Sequence, residues 1–207
     1  MPLIILVAGG SGAGKTTLAY ELEKALGRSI TRLSLERYYL GIEEMKRRGL
    51  DDNFNHPQAL DWDRLIEDVK KIKKSKSGGK VEVPVYSFDT MQRTGSERIV
   101  VRDVIVVEGL WALLRKELRE LGDLKVYLDV DPELRLVRKI KRDIEERGRE
   151  LEEILERFVR YTKPMHEIWV EPTKRFADII IPRGGKNKKG VELVVSWIRK
   201  IRAPGGI

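Results

Sequence analysis

The sequence predicts an α/β fold: a doubly wound, mostly parallel five-stranded sheet, covered by helices on both faces and interrupted by one small antiparallel excursion. Three observations predict it. Apolar runs alternate with longer stretches of helical period along the chain. The runs are almost continuously apolar, as strands buried on both faces are. One segment, about 80–101, switches to a two-residue period.

The first strand covers 3–8, Leu-Ile-Ile-Leu-Val-Ala. This run is too short to span a membrane and no basic segment precedes it, so it reads as a buried strand and not as a signal peptide. A helix follows over 15–26, a strand over 30–34 and a helix over 61–74. Residues 75–80, Ser-Lys-Ser-Gly-Gly-Lys, make a surface turn. Val81, Val83 and Val85, then Ile99, Val100 and Val101, form the excursion, joined by the polar stretch 89–97. Open α/β folds build substrate sites from such insertions, at the carboxyl edge of the sheet. Strands over 103–107, 125–129 and 178–181 alternate with helices over 111–121, 132–146, 150–162 and 190–201. No repeat or long linker divides the chain, so residues 1–207 read as one domain.

Lys and Arg number 41 against 33 Asp and Glu, a formal charge of +8. A basic balance suits nucleic acid or a polyanionic small ligand. The lysine-rich stretch 70–76 has no interleaved aromatics, so a solvated helix end is a better reading than a nucleic-acid surface. The absence of Cys excludes disulfides and thiolate metal sites, and leads to an expectation of cytoplasmic placement. His56 and His166 stand alone; the first is expected to brace a turn and the second to lie on a helix surface. The four Trp are expected to be packing residues.

Gly9-Gly10-Ser11-Gly12-Ala13-Gly14-Lys15-Thr16 matches G-x-x-x-x-G-K-[ST] between a strand and a helix, the context that gives this motif its meaning. Glycines let backbone N–H groups turn inward around phosphate oxygens, and the helix N-terminus adds partial positive charge. Gly10 to Thr17 therefore form the predicted ATP cradle of a P-loop NTPase fold. Lys15 reaches the β- and γ-phosphates, and the Thr16 hydroxyl is placed to bind Mg²⁺. The strand at 104–107 ends in Glu108-Gly109, which makes Glu108 a candidate for the same ion. A guanine-reading Asn-Lys-x-Asp is absent: Asn187-Lys188-Lys189-Gly190 lacks the Asp.

Further segments carry a resemblance. They are Asn53-Phe54-Asn55-His56-Pro57 with Ala59-Leu60-Asp61, Pro84-Val85-Tyr86-Ser87-Phe88 with Arg93, and Arg142-Asp143 with Glu146-Arg147-Gly148-Arg149. Lys163-Pro164-Met165-His166, Glu171-Pro172-Thr173-Lys174 and 177–187 follow them. In this order they resemble the uridine–cytidine kinase family, close to phosphoribulokinase, over nearly the whole chain. The resemblance implies phosphorylation of a nucleoside 5′-hydroxyl by ATP, with a helical lid at about 138–157 and possible self-association. It implies that Arg142 and Arg147 meet the ATP phosphates, that Arg149 holds the nucleoside, and that 183–187, with Arg183, lies near adenine. The acceptor site would take Glu36, Tyr39, Phe54, Asn55, Tyr86, Phe88, Met91, Lys139 and Arg157 as well.

Several of these depart from the family pattern. Glu36 stands where the family has the Asp that serves as general base and helps bind Mg²⁺. Asn55 and Ser87 replace Asp, Met91 replaces a base-reading His, Lys139 replaces Arg and Arg157 replaces Gln. Fewer carboxylates and an extra cation leave open a kinase for a sugar phosphate or other non-nucleoside alcohol, and the missing Asp leaves open a nucleotide-dependent regulatory or nucleic-acid-binding protein. If the loop works as read, Lys15→Ala abolishes turnover while the far-ultraviolet circular dichroism stays native.

Overall fold

The computed structural model describes residues 1–203. Five parallel strands form the main sheet: β1 (Leu3–Gly9), β2 (Ile30–Ser34), β5 (Val104–Glu108), β6 (Leu124–Asp129) and β7 (Ile179–Pro182), in the order β2-β5-β1-β6-β7. Two antiparallel strands, β3 (Lys80–Ser87) and β4 (Gln92–Val100), make a separate hairpin. Alternation along β1 divides the core. Ile4, Leu6 and Ala8 face one layer, built from α3 (Trp62–Lys74) and α4 (Lys116–Leu121). Ile5 and Val7 face the other, where α1 (Lys15–Leu26) and α8 (Lys188–Arg202) cover the sheet.

The hairpin begins and ends within the predicted 80–101, but its turn is short. Residues 92–97, taken from sequence as connecting chain, pair with 83–87. They are mostly exposed, and their polarity concealed them. Arg93 locks the hairpin to the turn after β2 and to the start of α3: its guanidinium donates to the Tyr38 and Tyr39 carbonyls and to Asp61, at 2.9–3.0 Å. Asp61 also caps α3, accepting from Arg64 N.

Four other segments differ from the sequence reading. A short helix α2 (Ile42–Arg47) buries only Met45, too little apolar signal to be seen. The helix expected over 111–121 begins at Lys116, because Arg119 donates to the Leu113 and Leu114 carbonyls and closes the preceding turn. Beyond α5 (Pro132–Arg147) lies α6 (Leu151–Arg157), which gives way to wider π turns at Phe158–Thr162 and His166–Val170 around α7 (Lys163–Met165). Pro164 lacks an N–H, so the regular ladder cannot pass through it. His166, expected on a helix surface, points inward instead. Its ring is largely buried and its Nε2 lies 3.3 Å from Glu171 Oε2.

Asp68 is a buried carboxylate on α3. It accepts from Tyr38 Oη at 3.2 Å and Arg64 Nε at 2.9 Å. Asp68→Ala leaves the Tyr38 hydroxyl buried and unpaired, and is expected to cost about 2 kcal/mol in urea unfolding.

Candidate active site

The loop from Gly10 to Gly14 joins β1 to α1. Gly12 and Gly14 have φ of 79° and 87°, the left-handed region in which glycine is unstrained. Lys15 Nζ donates to the Gly9 and Gly10 carbonyls at 3.0 and 3.1 Å. Burial lowers the lysine's pKa; Glu108 and Glu36 act in the opposite sense, and Arg142 adds to the lowering. Ala13 turns into the core and is fully buried.

Strand register brings the carboxylates to this loop. Glu108, at the end of β5, pairs with Val7 of β1 and Ser34 of β2. Thr16 Oγ1 donates to Glu108 Oε1 at 3.2 Å. Glu108 is buried, which raises its pKa, while Lys15 and hydrogen bonds from Ser34 and Thr16 favour the charged form. Glu36 follows β2 on a 3-10 turn, Leu35–Tyr38, and its side chain reaches the same cleft. Among the described residues no cluster of three or more His, Cys, Asp or Glu forms a metal cage. One hydroxyl and two carboxylates suit a cation such as Mg²⁺ that keeps waters and phosphate oxygens in its shell.

A cleft of about 780 Å³ runs from this loop under α5 and α6. Lys139, Arg142, Arg147, Arg149 and Arg157 all line it. Asp143, fully buried, gathers three of them: it pairs with Lys139, receives Arg142 at 2.7–2.9 Å and lies 3.7 Å from Arg147. Arg147 also lies 3.9 Å from Glu36 and stacks over Phe88, 4.4 Å from the ring centroid. Gly148, with φ 60°, ends α5 and turns the chain towards α6.

The far end of the cleft is aromatic. Tyr39, Phe54, Tyr86 and Phe88 meet edge to face at centroid distances of 5.4–6.2 Å, with Met91, Asn55 and Leu110 beside them. Burial, followed by Glu36, pushes the Tyr86 phenol up to about 12. Arg157 pairs with Asp52 and donates to the Asp52 carbonyl at 2.9 Å, tying α6 to the loop that carries Phe54 and Asn55.

Of the residues picked from sequence, the structure brings Ser11, Gly12, Gly14 to Thr17, Glu108 and every residue named for the acceptor site to this one cleft. Gly10, Ala13 and Arg183 do not line it. Arg183 is exposed, while Gly185 and Lys186 line the cleft. A Cβ on Gly185 would overlap the Gly14 carbonyl, so the 183–187 segment packs directly on the phosphate loop. Tyr20, Arg138, Glu146 and Thr162 also line the cleft and were not named for it. Helical spacing could have found two of them: Tyr20 is four residues beyond Thr16, and Arg138 is four before Arg142.

Strand order, phosphate loop and overlying helices define a P-loop kinase. The family profile described as PRK: Phosphoribulokinase / Uridine kinase family matches residues 4–189. The chain is 42% identical over 202 residues to a uridine kinase of Staphylococcus haemolyticus (strain JCSC1435), covering 96% of each chain. It is 40% identical over 201 residues to a uridine kinase of Staphylococcus aureus (strain JH9), again 96% of each. The fold is similar to phosphoribulokinase from Rhodobacter spheroides, with TM-score 0.63 and 18% identity over 87% of this chain and 70% of that one. It is also similar to D-glycerate 3-kinase from Cryptococcus neoformans, with TM-score 0.62 and 17% identity over 81% and 79%. The chain belongs to the phosphoribulokinase / uridine kinase family. It is a phosphotransferase that uses ATP as donor and an alcohol group as acceptor.

A carboxyl group held above its ordinary value of 4.5 is protonated early as pH falls, and the protonated form cannot hold a cation. The kcat/KM for Mg·ATP is therefore expected to fall along an acid limb centred above pH 4.5. Glu108→Gln should remove the Glu108 contribution to that limb and lower kcat/KM by about ten-fold or more.

Proposed function

We propose that this chain transfers the γ-phosphate of ATP to the 5′-hydroxyl of a pyrimidine nucleoside, uridine or cytidine. One observation carries the acceptor class: the two cations that would favour a phosphorylated acceptor already have carboxylate partners. Arg157 is paired with Asp52, and Lys139 with Asp143. The aromatic end of the cleft then offers ring edges, Met91 and the Asn55 amide, a surface suited to an uncharged planar base. The 40–42% identity to chains named uridine kinase supports the same acceptor.

In this reading the N-terminus of α1 and Lys15 offset the charge of the β- and γ-phosphates. Thr16, Glu108 and Glu36 would hold Mg²⁺, which supplies charge neutralisation across those phosphate oxygens. From the turn that follows β2, Glu36 accepts the proton of the nucleoside hydroxyl. Arg142 and Arg147 offset charge on the transferring phosphoryl group, and Arg149 holds the ribose end. Residues 183–187 flank adenine, and the turn at Gly148 lets the lid shut out water. We place the protein in the cytoplasm, where ATP and free nucleosides meet. No helix among the described residues is long and apolar enough to cross a membrane.

The test is ADP release from Mg·ATP with uridine, cytidine, adenosine, ribose 5-phosphate, ribulose 5-phosphate or pantothenate. Stimulation by uridine or cytidine is the expected outcome; stimulation by a phosphosugar alone overturns the acceptor assignment. Glu36→Gln should lower kcat by about 10²–10⁴ with the fold intact. Unchanged turnover would remove Glu36 as the base.

A further inference from the structure

Arg135 lies outside the cleft lining, yet it touches the phosphate loop from behind. It sits in the first turn of α5 and is 3% exposed. Its Nε donates to the Val130 carbonyl at 3.0 Å. Its guanidinium occupies the space in which a Cβ on Gly10 would lie, and its carbonyl fills the equivalent space at Gly12. Gly10 has no positive φ, so what a side chain there would meet is this guanidinium, which it would have to displace.

The other arginine donors are not fully used. Among the described residues Arg135 Nη1 is buried without a partner, and so is Nδ1 of His166, which belongs to the same polar cluster. The cluster's carboxylate, Glu171, accepts from Tyr127 Oη at 2.9 Å and lies 3.3 Å from His166 Nε2 and 3.7 Å from Lys174 Nζ. Lys174 in turn pairs with Asp129 at 2.7 Å. Burial, followed by Arg135, drives the His166 pKa down to about 4, so the imidazole is neutral near pH 7 and leaves the guanidinium as the positive member facing the loop. Burial also lowers the pKa of Arg135 itself. A buried cation with an unpaired N–H costs stability, and an apolar side chain of similar length is often better tolerated by the fold. Such a group sitting against two glycines of an anion-binding loop is placed for binding and not for stability.

We propose that Arg135 is a positioning residue for ATP: from behind the loop it holds Gly10 and Gly12 in their phosphate-binding conformation and adds positive charge to the cradle. It also fixes the first turn of the lid helix to the loop, so that ATP phosphates and the lid arginines share one frame. The proposal rests on the loop's role in binding ATP and is independent of the acceptor.

The test compares Arg135→Met and Arg135→Lys with the parent by urea unfolding and by calorimetric titration with Mg²⁺ and a non-hydrolysable ATP analogue. Arg135→Met is expected to unfold at an equal or higher urea concentration while its Kd for the analogue rises about ten-fold, with KM for the acceptor unchanged. Arg135→Lys, which keeps the charge, should recover most of that affinity. A Kd within about two-fold of the parent in Arg135→Met overturns the proposal. So does a lowered unfolding midpoint with nucleotide and acceptor affinities lost together, which would make Arg135 a structural brace. If Arg135→Met does not fold, Glu171→Gln decides: removing the neighbouring negative charge should tighten analogue binding, and unchanged or weaker binding overturns the proposal. Failure of the parent itself to bind the analogue would instead reject the ATP-site reading.

Discussion

A half-buried ammonium and a buried carboxylate share the carboxyl ends of the central strands, and the surrounding structure makes that burial tolerable. Lys15 loses water, and two loop carbonyls take two of its N–H donors. Glu108 loses water and receives the Thr16 hydroxyl. Burial pushes both towards their neutral forms, while each favours the charge of the other. The pair sits where the covered parallel sheet meets the cleft, shielded on the sheet side and open to a ligand on the other. The same desolvation strengthens the interactions the loop offers to phosphate oxygens.

Charge elsewhere in the cleft is organised by pairing. Asp143 gathers Lys139, Arg142 and Arg147 from inside the lid helix. Its main-chain carbonyl also accepts from Arg149 N at 3.1 Å as the helix ends. Asp52 neutralises Arg157 and ties the second lid helix to the acceptor loop. The result is a polarised cleft: cationic over the phosphate loop and aromatic at its far end. Polarity of this kind orients a ligand that is anionic at one end and planar at the other.

Much of the fold was legible in the sequence because its signals are local. Five apolar runs became the five strands of one parallel sheet, each within a residue or two of its predicted limits. The phosphate loop was legible because glycine spacing and its strand–helix context are both written along the chain. Less could be read where the determinant is non-local. Strand β4 is polar because it faces solvent, and Arg93 anchors it to distant main chain and to Asp61. The helix expected from 111 begins late because of a guanidinium six residues beyond the turn it caps. His166 was misplaced because its partner, Glu171, acts through a π turn that shifts helical phase.

For the candidate site the division is similar. Sequence alone determined which residue types were available: a loop of glycines with Lys15 and Thr16, an acid at the end of a strand, a run of arginines at helical spacing. It could not tell a free cation from a paired one. Arg157 and Lys139 read as surplus positive charge until the tertiary structure set Asp52 and Asp143 against them, across 105 residues in the first case and one helical turn in the second. Arg135 gave no signal, since its role depends on packing against glycines more than a hundred positions away. Local spacing fixes which groups a chain can present. Only folding decides which of their charges remain to act, because Coulomb pairing and desolvation depend on distance in space and not along the chain.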